Sequence, residues 1–173
     1  MGLQGYRQLS EESVSARTAT PTVQLGERRV DGGKEYVYVY NASSNEAINV
    51  GRGVKLASAS TGFTVDVAVG APSTLTAAMC FGVCQDATFA TADYGWLLTK
   101  GHASALECKL STVVTGEAFY MGTSGAFQRF SAAITDVVAN QAVIANGPVG
   151  QVINGTLTTT ATATFAAYFK CHY

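Results

Sequence analysis

The chain has 173 residues, the length of one ordinary domain, and 47% of them are hydrophobic, which excludes a disordered protein. Only 13% are charged, about half the usual share of roughly 25%. The formal net charge of −1 argues against nucleic-acid and membrane partners, since both require a basic surface. A monomer with so few charges would have little electrostatic protection against association, so we expect other subunits to cover much of its surface.

The first part of the chain differs from the rest. Residues 1–34 are polar and lightly patterned, and we predict that they form an extended N-terminal arm, either frayed or ordered by a partner. Residues 35–173 are predicted to form a single β domain. The first twenty residues lack the apolar segment of a signal peptide, and no later run is long enough to span a membrane. We therefore expect synthesis in a reducing cytoplasm, with the four cysteines free.

A turn signal at residues 31–33 (Asp-Gly-Gly) precedes the first strong strand. Residues 35–41 (EYVYVYN) alternate strictly, so this strand carries a tyrosine stripe (Tyr36, Tyr38 and Tyr40) on one face. Tyrosines in this pattern fit a half-buried sheet face, a protein interface or a platform for stacking sugars. The pattern alone leaves these three possibilities open.

Further short strands are predicted along the chain. They fall at residues 47–50, 53–57, 63–69, 77–84, 94–100, 102–109, 116–121, 126–130, 149–155 and 156–170. Residues 131–146 are ambiguous, because β-branched residues weaken their helical stripe. This succession of short strands and close turns predicts an all-β fold, a sandwich or barrel of short antiparallel strands.

Residues suited to catalysis or metal binding are few. The motifs of serine hydrolases, zinc proteases and phosphate-binding loops are missing. Alternation places His102 and Cys108 on one face of a strand, but about 20 Å apart, too far to share a proton. Cys80 and Cys84 could share a zinc ion with Cys171 and His172 only across a turn, and the apolar neighbours of Cys80 and Cys84 favour buried thiols. We predict no enzymatic activity, no metal and no cofactor.

Three segments in the second half of the chain, taken in their order, resemble a pattern found in known proteins. Residues 94–101 (YGWLLTKG), 115–127 (TGEAFYMGTSGAF) and 147–155 (GPVGQVING) follow one another, with residues 31–41 (DGGKEYVYVYN) upstream. Together they resemble virion proteins of tailed bacteriophages, in particular small head decoration (cement) proteins. The resemblance lies in short strands punctuated by glycine and spans residues 31–155.

The resemblance implies a structural protein that binds the outer capsid surface between capsomers and stabilises the shell. The implied partners are the major capsid protein and further copies of this chain, commonly as a homotrimer. The implied location is the virion exterior, after synthesis in the host cytoplasm. We expect contact surfaces at the tyrosine stripe, at Arg28 and Arg29, and at the C-terminal Thr/Ala strand. A head-fibre base, a tail protein and a carbohydrate-binding adhesin module remain alternatives.

Overall fold

A computed structural model describes residues 13–43, 46–57, 62–67, 80–109, 112–121, 125–129, 150–154, 157–158 and 162–171. Strands make up the regular structure of these residues, which confirms the all-β prediction. They are β1 (Arg17–Thr18), β2 (Arg28–Asp31), β3 (Lys34–Asn41), β4 (Gly53–Leu56), β5 (Thr64–Val67), β6 (Gly82–Val83), β7 (Tyr94–Lys109), β8 (Thr112–Val113), β9 (Ala118–Met121), β10 (Phe127–Arg129), β11 (Gly150–Asn154), β12 (Leu157–Thr158) and β13 (Thr162–Lys170). None of the described segments is a helix that could cross a membrane.

The 16-residue strand β7 organises the sheet, because two rings of strands share it. The first ring runs from β7 through β3, β5, β4 and β6 back to β7, and the second runs through β13, β11, β9 and β10. Single residue pairs close the rings, Val83 with Leu98 in the first and Phe127 with Cys108 in the second. The β3–β5 and β10–β7 pairings are parallel, so the expectation of purely antiparallel strands does not hold there.

Each ring contributes to a separate hydrophobic cluster. The first cluster includes Val37, Val39 and Leu97. The larger cluster includes four phenylalanines that meet edge to face, with ring centroids 5.3–6.0 Å apart: Phe119, Phe127, Phe165 and Phe169. It continues through Tyr38 and Trp96, which lie on the other face of β3 and β7. Both faces of these two strands are therefore buried, as happens when sheet strands are covered on each side.

The predicted turn at residues 31–33 is confirmed as the connection between β2 and β3. Asp31 pairs with Lys34, so only two residues form the loop. Gly32 and Gly33 have φ values of 55° and 79°, the left-handed conformation that a type I′ hairpin turn requires at both positions. Strand β2 and the short strand β1 both fall within the predicted arm and pair with β3 and β7. The division of the chain at residue 34 stays a prediction.

The alternation predicted for residues 102–109 is wrong beyond Ser104. The pairing of β7 with β13 shifts by one residue between Ala103 and Leu106, both of which are buried. Strand β7 therefore contains a β-bulge, with one residue more than β13 in this stretch. Beyond the bulge, side chains that alternation assigns to one face lie on the other. His102 is consequently exposed and Cys108 buried, so these two residues lie on opposite faces of the sheet rather than on one.

Other strand predictions had mixed outcomes. The hairpin expected at residues 116–121 and 126–130 is present as β9 and β10. Residues 47–50 form only an isolated bridge, between Ile48 and Phe89. The ambiguous segment 131–146 lies outside the described residues, as do residues 77–79 of another predicted strand.

Candidate interaction surfaces

The tyrosine stripe is mostly part of the protein's own core. Tyr36 is 3% exposed and Tyr38 is fully buried. The Tyr38 ring contacts Trp96 edge to face, with centroids 5.1 Å apart. Tyr40 is half-buried and tilted against Tyr94 at 4.8 Å, at the end of the stripe. Of the three tyrosines predicted at an interface, only Tyr40 reaches the surface of this chain.

Residues 13–25 cover the middle of the stripe, at Tyr38. Val14, Val23 and Leu25 pack against the larger hydrophobic cluster. The Tyr38 hydroxyl accepts a hydrogen bond from the Thr22 main-chain N–H at 3.3 Å and lies 3.1 Å from the Thr22 hydroxyl. The hydroxyl of a buried tyrosine needs such partners, and the N-terminal segment supplies them. At Tyr36 and Tyr38 the stripe is thus a sheet face, and it is buried more completely than the half-buried face predicted from the sequence.

Arg17 anchors this covering segment. Its guanidinium donates to the Ala87 carbonyl at 2.9 Å and 3.2 Å, to the Val14 carbonyl at 3.0 Å and to the Ala16 carbonyl at 2.7 Å. It also lies over the Phe89 ring, 3.9 Å from the centroid, which is close enough for a cation–π contact. Burial lowers the pKa of Arg17, although arginine stays charged in proteins. A single side chain therefore joins the N-terminal segment to the loop before β7.

The buried phenol of Tyr36 predicts a pH effect on stability. Burial, assisted by nearby Asp86, raises its pKa from 10.0 to about 12. The folded chain then holds the phenol proton more tightly than the unfolded chain, so this contribution is complete below pH 10 and is lost as the pH rises towards 12. We expect Tyr36→Phe to flatten the fall in unfolding free energy over that interval, measured by urea denaturation. The exposed control Tyr168→Phe should keep the wild-type slope, and equal slopes for both variants would contradict the prediction.

Arg28 and Arg29 lie on β2, at the side of the first ring. Arg28 is exposed, while Arg29 is half-buried and forms an ion pair with Asp31 at 3.3 Å. Val30 lies between these two arginines and the turn, and its side chain is 71% exposed. Val30 was not among the predicted contact residues, although its place in a predicted arm beside two arginines was a signal of exposure.

A second exposed surface, the β11–β13 outer face, consists of Gln151, Ile153, Ala166 and Tyr168. Tyr168 pairs with Gln151 on one side and with His102 on the other. Ile153 is 46% exposed and Tyr168 45%, and none of the four residues carries a charge. The alternate residues of β13, including Phe165 and Phe169, face the core. The outer face of the C-terminal strand therefore presents the apolar side chains of Ala166 and Tyr168, followed by the exposed cation Lys170. Ile153, which lies at an irregularity in β11, was not predicted on this surface.

All four cysteine side chains are buried, and none of them forms a disulfide. Burial raises the pKa of the Cys84 thiol, against the opposing effect of the nearby Arg17 guanidinium. Burial also raises the pKa of Cys171 well above its usual value, and its contact with Cys80 acts in the same direction. The thiols of Cys84 and Cys171 therefore stay protonated at neutral pH and are poor nucleophiles. Within the described residues, no three His, Cys, Asp or Glu side chains are grouped to hold a metal ion.

Comparison with known proteins gives limited similarity. No family model matches the chain, and no curated protein matches it. Among solved structures, the chain is similar to the N base of the head fiber gp8.5 of bacteriophage phi29, with 9% sequence identity and a TM-score of 0.46. That similarity covers 80% of this chain and 98% of the phage chain. At this identity and TM-score, the role of the phi29 protein is not transferred to this chain.

Proposed function

We propose that this chain is a structural protein of a tailed-bacteriophage virion that binds the outer capsid surface between capsomers and stabilises the shell. The observation that carries the proposal is the β11–β13 outer face, where the apolar side chains of Ile153 and Tyr168 are about half exposed. Exposed apolar patches of this kind mark sites of protein association. A chain with only 13% charged residues is suited to being covered by neighbouring subunits.

The proposed mechanism is thermodynamic linkage. A protein that binds the assembled shell, and not the separated capsid subunits, stabilises the shell by an amount that grows with its free concentration over Kd. Self-association multiplies this effect, because one assembly then contacts several capsomers at high effective concentration. The major capsid protein and further copies of this chain, as the homotrimer that the resemblance implies, are the proposed partners. No catalytic step or cofactor is needed.

Cosedimentation with expanded, empty shells of the virus that encodes the chain tests the proposal. The wild-type chain should pellet with the shells and raise the temperature at which they come apart. Tyr168→Glu should abolish both effects, because it places a charge in the centre of the apolar face. The matched control Leu56→Glu changes a residue that is 40% exposed on β4, in the other ring, and should bind as wild type.

Electron microscopy of the complexes separates the proposed function from its alternatives. Density distributed over the shell, at positions where capsomers meet, would support a decoration protein. Density confined to fibres or to the tail would support the head-fibre base or tail protein instead. Failure of the wild-type chain to bind shells at all would overturn the proposal.

A further inference from the structure

The outer edge of β2 is a candidate site for strand pairing. Strand β2 pairs with β3 on one side, and no other strand within the described residues pairs with it on the other. A methyl group built on Gly32 or Gly33 would meet no atom of the described residues within 4 Å, so neither position in the turn is crowded by them. Val30, in the middle of the edge, is 71% exposed. Unpaired strand edges are templates for pairing with another chain.

The register of the hairpin determines which main-chain groups face outwards. The Tyr38 N–H donates to the Glu27 carbonyl at 2.9 Å, and Asp31 pairs with Lys34 beside the two-residue turn. Hydrogen-bonded pairs alternate along an antiparallel ladder, so Glu27, Arg29 and Asp31 direct their main-chain groups towards β3. The N–H and C=O groups of Val30 then point away from β3, towards the outer edge.

We propose that β2 pairs with β2 of a second copy of this chain, antiparallel, about a twofold axis at Val30. In this register Val30 faces Val30 of the second copy and exchanges two main-chain hydrogen bonds with it. The flanking pairs bring Arg29 opposite Asp31 of the second copy, and Asp31 opposite its Arg29. These flanking pairs are of the non-hydrogen-bonded type, in which side chains approach most closely.

Charge selects this register over the neighbouring one. If the second copy slides along β2 to the next register in which the outward main-chain groups still pair, Arg29 lies directly opposite Arg29 of the second copy. Like charges in that position repel. Arg29 already contacts Asp31 of its own chain at 3.3 Å, but a guanidinium has five N–H donors and can serve two carboxylates. Charge complementarity across the axis therefore identifies the occupant of the edge as a second copy.

The inference does not depend on the proposed capsid function, since it concerns the purified chain alone. A twofold contact generates a dimer, whereas the resemblance implies a trimer, so the mass of the assembly separates the two. Failure of the strand pairing would leave the shell-binding experiment unaffected.

Analytical ultracentrifugation of charge-reversal variants tests the pairing. The wild-type chain should dimerise with increasing concentration. Arg29→Asp alone and Asp31→Arg alone should each be monomeric, with Kd raised about tenfold or more, because each creates two like-charge pairs across the axis. An equimolar mixture of the two variants should dimerise again, since both flanking pairs then join an aspartate of one variant to an arginine of the other. Recovery in the mixture also shows that both variants are folded.

Three results would overturn the proposal. The wild-type chain could be monomeric at every concentration. It could form an assembly, a trimer included, whose mass neither charge reversal changes. The mixture of the two variants could remain monomeric while the wild-type chain dimerises, which would show that this register is wrong.

Discussion

Replacement of Trp96 by alanine is expected to reduce the free energy of unfolding by about 3–5 kcal/mol, the usual cost of removing a large buried aromatic side chain. Trp96 is 1% exposed and lies on β7, the strand that both rings share. Its ring meets Tyr38 edge to face at 5.1 Å, so the truncation leaves a cavity between β7 and β3. The free energy of unfolding of a small domain is roughly 5–15 kcal/mol in total, so this loss is a large part of it.

Denaturant unfolding followed by circular dichroism measures the effect. Trp96→Phe should lose less unfolding free energy than Trp96→Ala, because it keeps an aromatic ring at this position. Its stability can still be measured if the alanine variant does not fold. The control Tyr168→Ala removes an aromatic ring that is 45% exposed, and its cost should be within about 1 kcal/mol. Equal losses for Trp96→Ala and Tyr168→Ala would contradict the assignment of Trp96 to the core.

Replacement of Arg17 by methionine is expected to destabilise the chain by about 2–4 kcal/mol. Methionine keeps much of the apolar packing but removes the hydrogen bonds to the carbonyls of Val14, Ala16 and Ala87, which a charged donor makes stronger than average. It also removes the contact with the Phe89 ring. Because Arg17 joins residues 13–25 to the rest of the fold, its loss should uncover Tyr38 as well.

Two measurements check this prediction. The unfolding free energy of Arg17→Met is compared with that of Lys170→Ala, which removes an exposed cation and should cost at most about 0.5 kcal/mol. Limited proteolysis then tests the covering segment, which should be cut faster within residues 13–25 in Arg17→Met than in the wild type. A protease pattern identical to the wild type would show that Arg17 does not hold this segment.

Local signals in the sequence predicted much of the strand content. Strict alternation in residues 35–41 identified β3, and two consecutive glycines identified the hairpin turn before it. These signals succeeded because alternation and positive φ are properties of residues that are neighbours in the chain. The exposed apolar residues were harder to predict. Only Tyr40 of the stripe is accessible, whereas Val30 and Ile153 were not anticipated.

The amino-acid sequence by itself determined that this is an all-β protein, with few charges and buried thiols, and it determined which residues share a face of β3. Tertiary structure decided which of those faces are covered. Residues 13–25 cover Tyr38, and a bulge in β7 separates His102 from Cys108. The physical reason is that alternation assigns side chains to a face of a strand, while burial depends on segments far away in the chain that pack against that face.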